Sequence, residues 1–455
     1  MSSSSDSLTS PSSAALLDAA RTYGTPLYVY DFDIIIKRYR ELVEAFPNPA
    51  GLRIHYAMKA NSNFSILQLM QTLHKDLAGQ DDSKAAIPEM CIDCVSPGVL
   101  FNIGSLSRLE KFGEKYPGES VCLRFNPNVV AGENEKVRTG GSKTKFGILL
   151  EDIKKVLDIV GKHRLRVVGV HEHTGSGIGS ADAIITSVKQ LLTVAKREYF
   201  PQLSFVDFGG GFKVPFRSSD KRTPIKDIGR KVCAELQRHF EQERQIHGDK
   251  AVRLQLRLEP GKWIIAESGS LLVTVNTVKW NKERRIAGTD SGFNHLIRPT
   301  LYNAYHHIRN LTADSSDTKP KRERCDVVYD ICGNICETGD LFASDRKMKC
   351  EIHEGDVLSI DTAGAYGMTM GSIYNLRPLP AEALIRKPLE GNGKRCALIR
   401  KRRTFDDIAA DVMADSVGQE SARKANGRRG DDAGVCGGGI YGTLTSTDAP
   451  SCSVM

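Results

Sequence analysis

Compact apolar runs that alternate with longer amphipathic stretches constrain the fold of this chain more than any other feature. Seven runs read as strands, at 52–58, 90–95, 99–103, 121–126, 165–171, 203–208 and 254–259. Near-continuous Val, Ile, Leu and Phe is what a parallel strand needs when helices cover both faces of its sheet. Lys59, Asp93, Ser105, Arg124, His173, Gly209 to Gly211 and Glu259 stand at or just past the C-terminal ends of these runs. A TIM-type (β/α)8 barrel collects such positions on one face, the face that carries chemistry. An open, doubly wound sheet is the alternative arrangement of the same units.

After about residue 268 strand-like pieces follow one another at 271–278, 326–329, 357–360 and 383–385 without long helices between them. The expected organisation is a Ser-rich unstructured lead-in at 1–13, a helix and strand at 14–31 that join a β domain, and an α/β barrel at 32–267. A mostly β, sandwich-like domain with a closing helix at 401–413 fills 268–413, and a tail without hydrophobic periodicity runs from 414 to 455. A chain of 455 residues, 40% hydrophobic and 26% charged, is long enough for two cores. The balance of 63 Lys and Arg against 55 Asp and Glu is spread thinly, so no nucleic-acid partner is expected. No stretch approaches the roughly eighteen consecutive apolar residues of a membrane span. Eleven cysteines scattered through apolar runs point to a reducing compartment and to the cytoplasm. The Ser-rich start lacks both a signal core and the Arg of a plastid transit peptide, the alternative address.

Five segments carry chemistry, and each has a plainer reading. Lys59 in YAMKAN ends an apolar strand, where desolvation favours the neutral amine that forms a Schiff base; most such lysines are surface groups. His171 and His173 in HEHTGSG lie two apart on a strand and face the same way, which suits zinc, a structural pair, or an imidazole over a flat cofactor beside the close approach allowed by Gly-Ser-Gly. The glycines of DFGGGF can turn backbone N–H groups toward an anion, or simply turn the chain. Glu259 in EPGK needs a cationic partner such as a protonated pyridine nitrogen if it is buried, or else ends a strand. Cys332 and Cys336 are spaced four apart with no matching pair, and Cys91-x-x-Cys94 lies inside a strand, so neither metal nor redox chemistry is expected of them.

In this order and at these spacings, YAMKAN, HEHTGSG, DFGGGF, EPGK, RPTLYNAYH, CETGD and DTAGAYG resemble the fold-type III pyridoxal-phosphate decarboxylases that act on ornithine, diaminopimelate or arginine. The likeness runs from about residue 24 to 408 and is strongest to the members that use diaminopimelate. It implies a homodimeric enzyme with pyridoxal 5'-phosphate as cofactor and active sites shared between subunits. The implied reaction is decarboxylation of meso-2,6-diaminopimelate to L-lysine, the last step of that lysine route. By resemblance Lys59 carries the cofactor and His173 stacks on its ring. Ser176, Gly210, Gly211, the turn from Glu259 through Gly261 to Lys262, and Tyr366 hold its phosphate. Glu259 faces the pyridine nitrogen, and Asp93 and Arg124 complete the cofactor contacts. Arg298 and Tyr302, with Lys262 and Tyr366, take the substrate's distal carboxylate, where a guanidinium offers two-pronged recognition. Glu337 takes the distal ammonium, and Cys336 donates a proton from the partner subunit.

Two departures from the family pattern matter. Lys262 stands where relatives carry Arg, which keeps the charge but loses the fork. Val99 follows Gly98 directly where relatives insert about thirty residues, one βα unit of a roughly 250-residue barrel. The absence of that unit matches the count of seven runs and would expose strand edges. The alternatives are therefore a decarboxylase of ornithine, arginine or carboxynorspermidine, or a catalytically impaired relative.

Overall fold

The computed structural model describes residues 8–78, 86–87, 99–132, 139–141, 144–282, 284–314, 326–386 and 396–412. The chain forms a compact unit, Met1–Thr404, and a second, Phe405–Met455, of which the helix Phe405–Val412 is described. That helix was expected at 401–413, as part of the β domain.

The first unit opens with helix α1 (Ser13–Tyr23) and strand β1 (Leu27–Asp31). Thr9 and Pro11, in the lead-in expected to be unstructured, are hydrogen-bonded to the rest of the unit. Arg38 donates to the Thr9 hydroxyl (2.7 Å), and Arg309 donates to the Pro11 carbonyl (3.2 Å) and the Ser13 hydroxyl (2.8 Å). A buried guanidinium such as that of Arg38 needs acceptors, and this segment supplies one.

From α2 (Phe32–Ala45), capped by Asp31, strands and helices alternate: β2 (Leu52–Ile54), α3 (Phe64–Ala78), β3 (Ala86–Ile87), β4 (Leu100–Ile103), α4 (Leu106–Lys115), β5 (Ser120–Asn126), β6 (Ile148–Leu149), α5 (Ile153–His163), β7 (Arg166–His171), α6 (Ala181–Leu192), β8 (Phe205–Asp207), α7 (Ile225–His247) and β9 (Gln255–Leu258). All pairings in this sheet are parallel and its order is β2-β9-β8-β7-β5-β4-β3, with β6 beside β5. Neighbours in space are neighbours in sequence, and the first strand pairs with the last. A doubly wound sheet reverses direction from its middle and leaves its first and last strands apart, so this order is that of a barrel.

Among the described residues no pairing joins β2 to β3. β3 pairs with β4, and the segment up to Gly98, after which the shortfall is expected, lies outside the described residues. The predicted strand at 90–95 and Asp93 lie outside the described residues. The predicted strand at 52–58 ends at Ile54, so Lys59 follows it by a turn. Ser105, placed at a strand end by the sequence, caps α4 by accepting from the Arg108 N–H (3.3 Å).

The barrel continues through a short helix α8 (Lys262–Ile265) into β10 (Gly269–Asn281) and β11 (Arg284–Thr289), a short helix α9 (Arg298–Tyr302), and β12 (Ile308–Asn310), β13 (Val327–Cys332), β14 (Leu341–Met348), β15 (Val357–Ile360), β16 (Ala381–Ile385) and β17 (Cys396–Arg400). With β1 these make a nine-stranded, mostly antiparallel sheet in which β1 lies between β10 and β16. Side chains alternate across β1. Tyr28 and Tyr30 enter the main core with Trp263, while Leu27 and Val29 face a second core under α1 with Leu16, Leu272 and Ala383.

Candidate active site

The turn that carries Lys59 is fixed from three sides. Ala60 N–H donates to the Ala57 carbonyl (2.9 Å), Ala57 N–H to the Pro260 carbonyl (3.1 Å), and Tyr366 N–H to the Ala60 carbonyl (2.8 Å). Asn61 donates its amide to the Gly364 carbonyl (3.2 Å). Tyr366 adopts a positive φ of 54°, an uncommon conformation for a bulky residue, and one held here by the lysine turn. YAMKAN, EPGK and DTAGAYG, far apart in sequence, thus form one backbone assembly.

Lys59, Arg124, His173, Ser176, Gly211, Glu259, Gly261, Lys262 and Tyr366 line a single cavity of about 70 Å³ with Ala57, His171 and Trp263. Nine residues singled out from sequence meet here, as one barrel face requires. Lys59 itself is exposed, not desolvated at a strand end as expected. Its position in a turn beyond β2 explains the difference.

His173 accepts a hydrogen bond at Nδ1 from the Gly210 N–H (3.3 Å). A backbone amide only donates, so Nδ1 is unprotonated and the imidazole is neutral. Burial first, and then the Arg124 and Lys59 charges, lower its pKa to about 3. Gly210 was expected among the phosphate holders; its N–H is directed at His173 instead, and Gly210 borders a smaller apolar void beneath the cavity. Gly209 has φ +61°, and a Cβ there would lie 2.7 Å from His173 Nδ1, so only glycine lets the loop pass beneath the ring.

His171 does not share a centre with His173. Its Nε2 approaches Glu259 Oε2 at 3.3 Å, and Asp207 completes a cluster whose polar atoms lie within 4.8 Å of one another. Burial would raise Glu259, but His171, the nearest group to its carboxylate, more than reverses it and holds Glu259 below its usual range. Burial, and then Glu259, push Asp207 well above its usual range, and its Oδ1 accepts the Gly209 N–H (2.8 Å). The cluster therefore keeps one negative charge, on Glu259, at the cavity wall. The sequence quoted both HEH and DFGGG but gave no means of pairing His171 with Glu259 across β7, β8 and β9.

The cavity wall then carries Lys59, Arg124 and Lys262 against one carboxylate, with neutral donors at Ser176 and at Tyr366, whose hydroxyl is kept protonated by burial to about 12. That excess of positive charge suits an anion, and the isolated carboxylate suits a protonated heteroaromatic nitrogen. The residues fit pyridoxal 5'-phosphate.

A second pole adjoins the cavity. Lys262 Nζ lies 6.0 Å from the Phe216 ring, and the Arg298 guanidinium lies 5.2 Å from the same ring and 5.7 Å from Tyr302. Arg298 is buried, on α9. Phe216 and its neighbour His306 were not anticipated, since an aromatic in a loop and the first of two adjacent histidines carry no spacing signal. Cys336 and Glu337 are exposed and do not line the cavity of their own chain; Tyr374 donates its hydroxyl to Glu337 Oε1 (2.8 Å). Among the described residues no helix is long and apolar enough to cross a membrane.

A sequence profile of the pyridoxal-binding domain of pyridoxal-dependent decarboxylases matches residues 90–266. The diaminopimelate decarboxylase of Methanothermobacter thermautotrophicus is 34% identical over 87% of this chain and 93% of its own length, and that of Escherichia coli K12 is 30% identical over 87% and 95%. The first alignment spans 419 residues, more than 87% of 455, so it crosses stretches that this chain lacks. The diaminopimelate decarboxylase of M. jannaschii in complex with L-lysine superposes with a TM-score of 0.74, at 28% identity over 88% of this chain and 95% of the other. The Helicobacter pylori enzyme with L-lysine gives 0.72, at 27% identity over 89% and 100%.

Proposed function

The chain belongs to the pyridoxal-dependent diaminopimelate decarboxylases, and from that membership we propose that the cavity around Lys59 is where meso-2,6-diaminopimelate loses carbon dioxide to become L-lysine. The observation that carries this reading is the convergence of Lys59, Arg124, His173, Ser176, Glu259 and Tyr366 on one cavity.

When bound, pyridoxal 5'-phosphate supplies a sink for the electron pair left as carbon dioxide departs. Lys59 is the amine that would hold it. Ser176, Gly211, Gly261 and the Tyr366 hydroxyl bind its phosphate. Glu259, ionised and with His171 beside it, would hold the proton on its ring nitrogen, and the neutral imidazole of His173 would offer an uncharged contact for the ring. Arg298 and Tyr302 bind the carboxylate at the end of the substrate that does not react.

Cys336 and Glu337 act on the site of a second subunit. Their exposure, away from the cavity of their own chain, supports a homodimer with shared sites. There the Cys336 thiol delivers a proton to the carbon that lost carbon dioxide, and Glu337 takes the distal ammonium.

The test is lysine formation from meso-diaminopimelate by the purified chain with added cofactor, beside Lys59→Ala. Lysine from the parent and none from the variant is the expected result. A folded parent that yields no lysine overturns the proposal.

A further inference from the structure

Arg298 is presented by a short helix at the inner end of the site, and a guanidinium on a long, flexible stem recognises a carboxylate well only if something sets its direction. His306 is fully buried and lies beside it. Its Nδ1 lies 2.9 Å from the Asp361 carbonyl oxygen, and its Nε2 lies 3.4 Å from Arg298 Nε. A carbonyl only accepts and a guanidinium only donates, so both contacts are satisfied by a single tautomer, with hydrogen on Nδ1 and the lone pair on Nε2. A protonated ring would turn a second N–H at Arg298 and break the pair.

The surroundings keep the ring neutral. Burial first, and then the charges of Arg298, Arg346 and Lys262, lower its pKa to about 3, while the bond to Asp361 opposes them. Arg346 donates to the His306 carbonyl (2.6 Å). The ring packs edge-to-face with Phe216, with centroids 5.3 Å apart at 85°, and Arg298 and Lys262 lie 5.2 and 6.0 Å from the same Phe216 ring. Three cations are thus gathered around an imidazole that carries no charge, an arrangement that leaves a net positive potential for an incoming carboxylate.

We infer that His306 is a positioning residue for substrate specificity: its unprotonated Nε2 holds Arg298 by the Nε edge and so aims the guanidinium at the distal carboxylate of the substrate. This rests on the reading of Arg298 as the carboxylate-binding residue. His306 touches no reacting atom and acts only through Arg298.

The test uses binding to the cofactor-loaded protein. L-lysine keeps the distal carboxylate, and 1,5-diaminopentane is the same molecule without it. His306→Asn keeps a donor for the Asp361 carbonyl but stops short of Arg298, whereas His306→Gln reaches Arg298 with an acceptor. Titration calorimetry is expected to show L-lysine binding weakened about tenfold in His306→Asn, as for loss of one hydrogen bond to a charged group. It is expected to be largely restored in His306→Gln, with diaminopentane binding unchanged in both. His306→Phe fills the same space without an acceptor and should behave as His306→Asn does, which keeps the test open if one variant fails to fold. If Arg298→Ala weakens L-lysine binding and neither His306→Asn nor His306→Phe does, His306 does not position it and the inference is overturned. If Arg298→Ala leaves L-lysine binding intact, the carboxylate assignment itself falls, and the inference with it.

Discussion

Glu172 sits between the two histidines of HEH and is fully enclosed beneath the cavity. It lies among Phe46, Ile178, Ile184, Phe208 and Phe212 around a void of about 10 Å³, and accepts the Thr174 hydroxyl at Oε2 (2.7 Å). Burial raises its pKa from 4.5 to about 7, against the opposing hydrogen bonds and the Arg124 charge. Between those two pH values the folded chain binds a proton that the unfolded chain has released. The contribution of Glu172 to stability is therefore whole below pH 4.5 and is lost as pH rises through 7. Each tenfold in proton affinity is about 1.4 kcal/mol, so the folded state carries a cost of about 3 kcal/mol at pH 8 and above. Glu172→Gln mimics the protonated acid and removes that cost. Urea unfolding at pH 5 and pH 8.5 should place the variant near the parent at the lower pH and about 3 kcal/mol above it at the higher. A gain that does not change with pH refutes the reasoning.

Gly209→Ala forces a Cβ to within 2.7 Å of His173 Nδ1 at a positive φ. Cofactor affinity, followed by visible absorbance, should fall by about fivefold to a hundredfold for a strain of about 1–3 kcal/mol. Glu267 is buried between Arg38 (3.0 Å) and Arg222 (2.7 Å), so Glu267→Ala leaves the buried Arg222 guanidinium without its carboxylate and Arg38 with the Glu41 carboxylate alone. Its denaturation midpoint should drop by the equivalent of about 3–5 kcal/mol. Lys59→Ala and Cys336→Ala, each inactive alone, should regain lysine formation when co-refolded, and no regain removes the shared-site arrangement.

Much of the site was legible because barrel topology turns order along the chain into proximity at one face. Lys59, His173, Gly211 and Glu259 follow separate strands and Arg124 lies near the end of another, and the parallel order of those strands, with β2 beside β9, brings them together. What escaped was lateral. His171 meets Glu259 across two intervening strand pairings, and Phe216 meets Arg298 from a loop against the β domain. Period-2 and period-3.6 patterns report which face a residue takes, not which neighbour it finds there. Gly210 shows a second limit: glycine spacing announced a tight loop, but the direction of each N–H depends on φ and ψ that no sequence pattern carries.

The most direct measurement is borohydride reduction of the cofactor-loaded protein followed by peptide mass mapping. The account predicts a phosphopyridoxyl group on Lys59 alone. A label on Lys262 or on any lysine outside the cavity, with Lys59 unmodified, contradicts it.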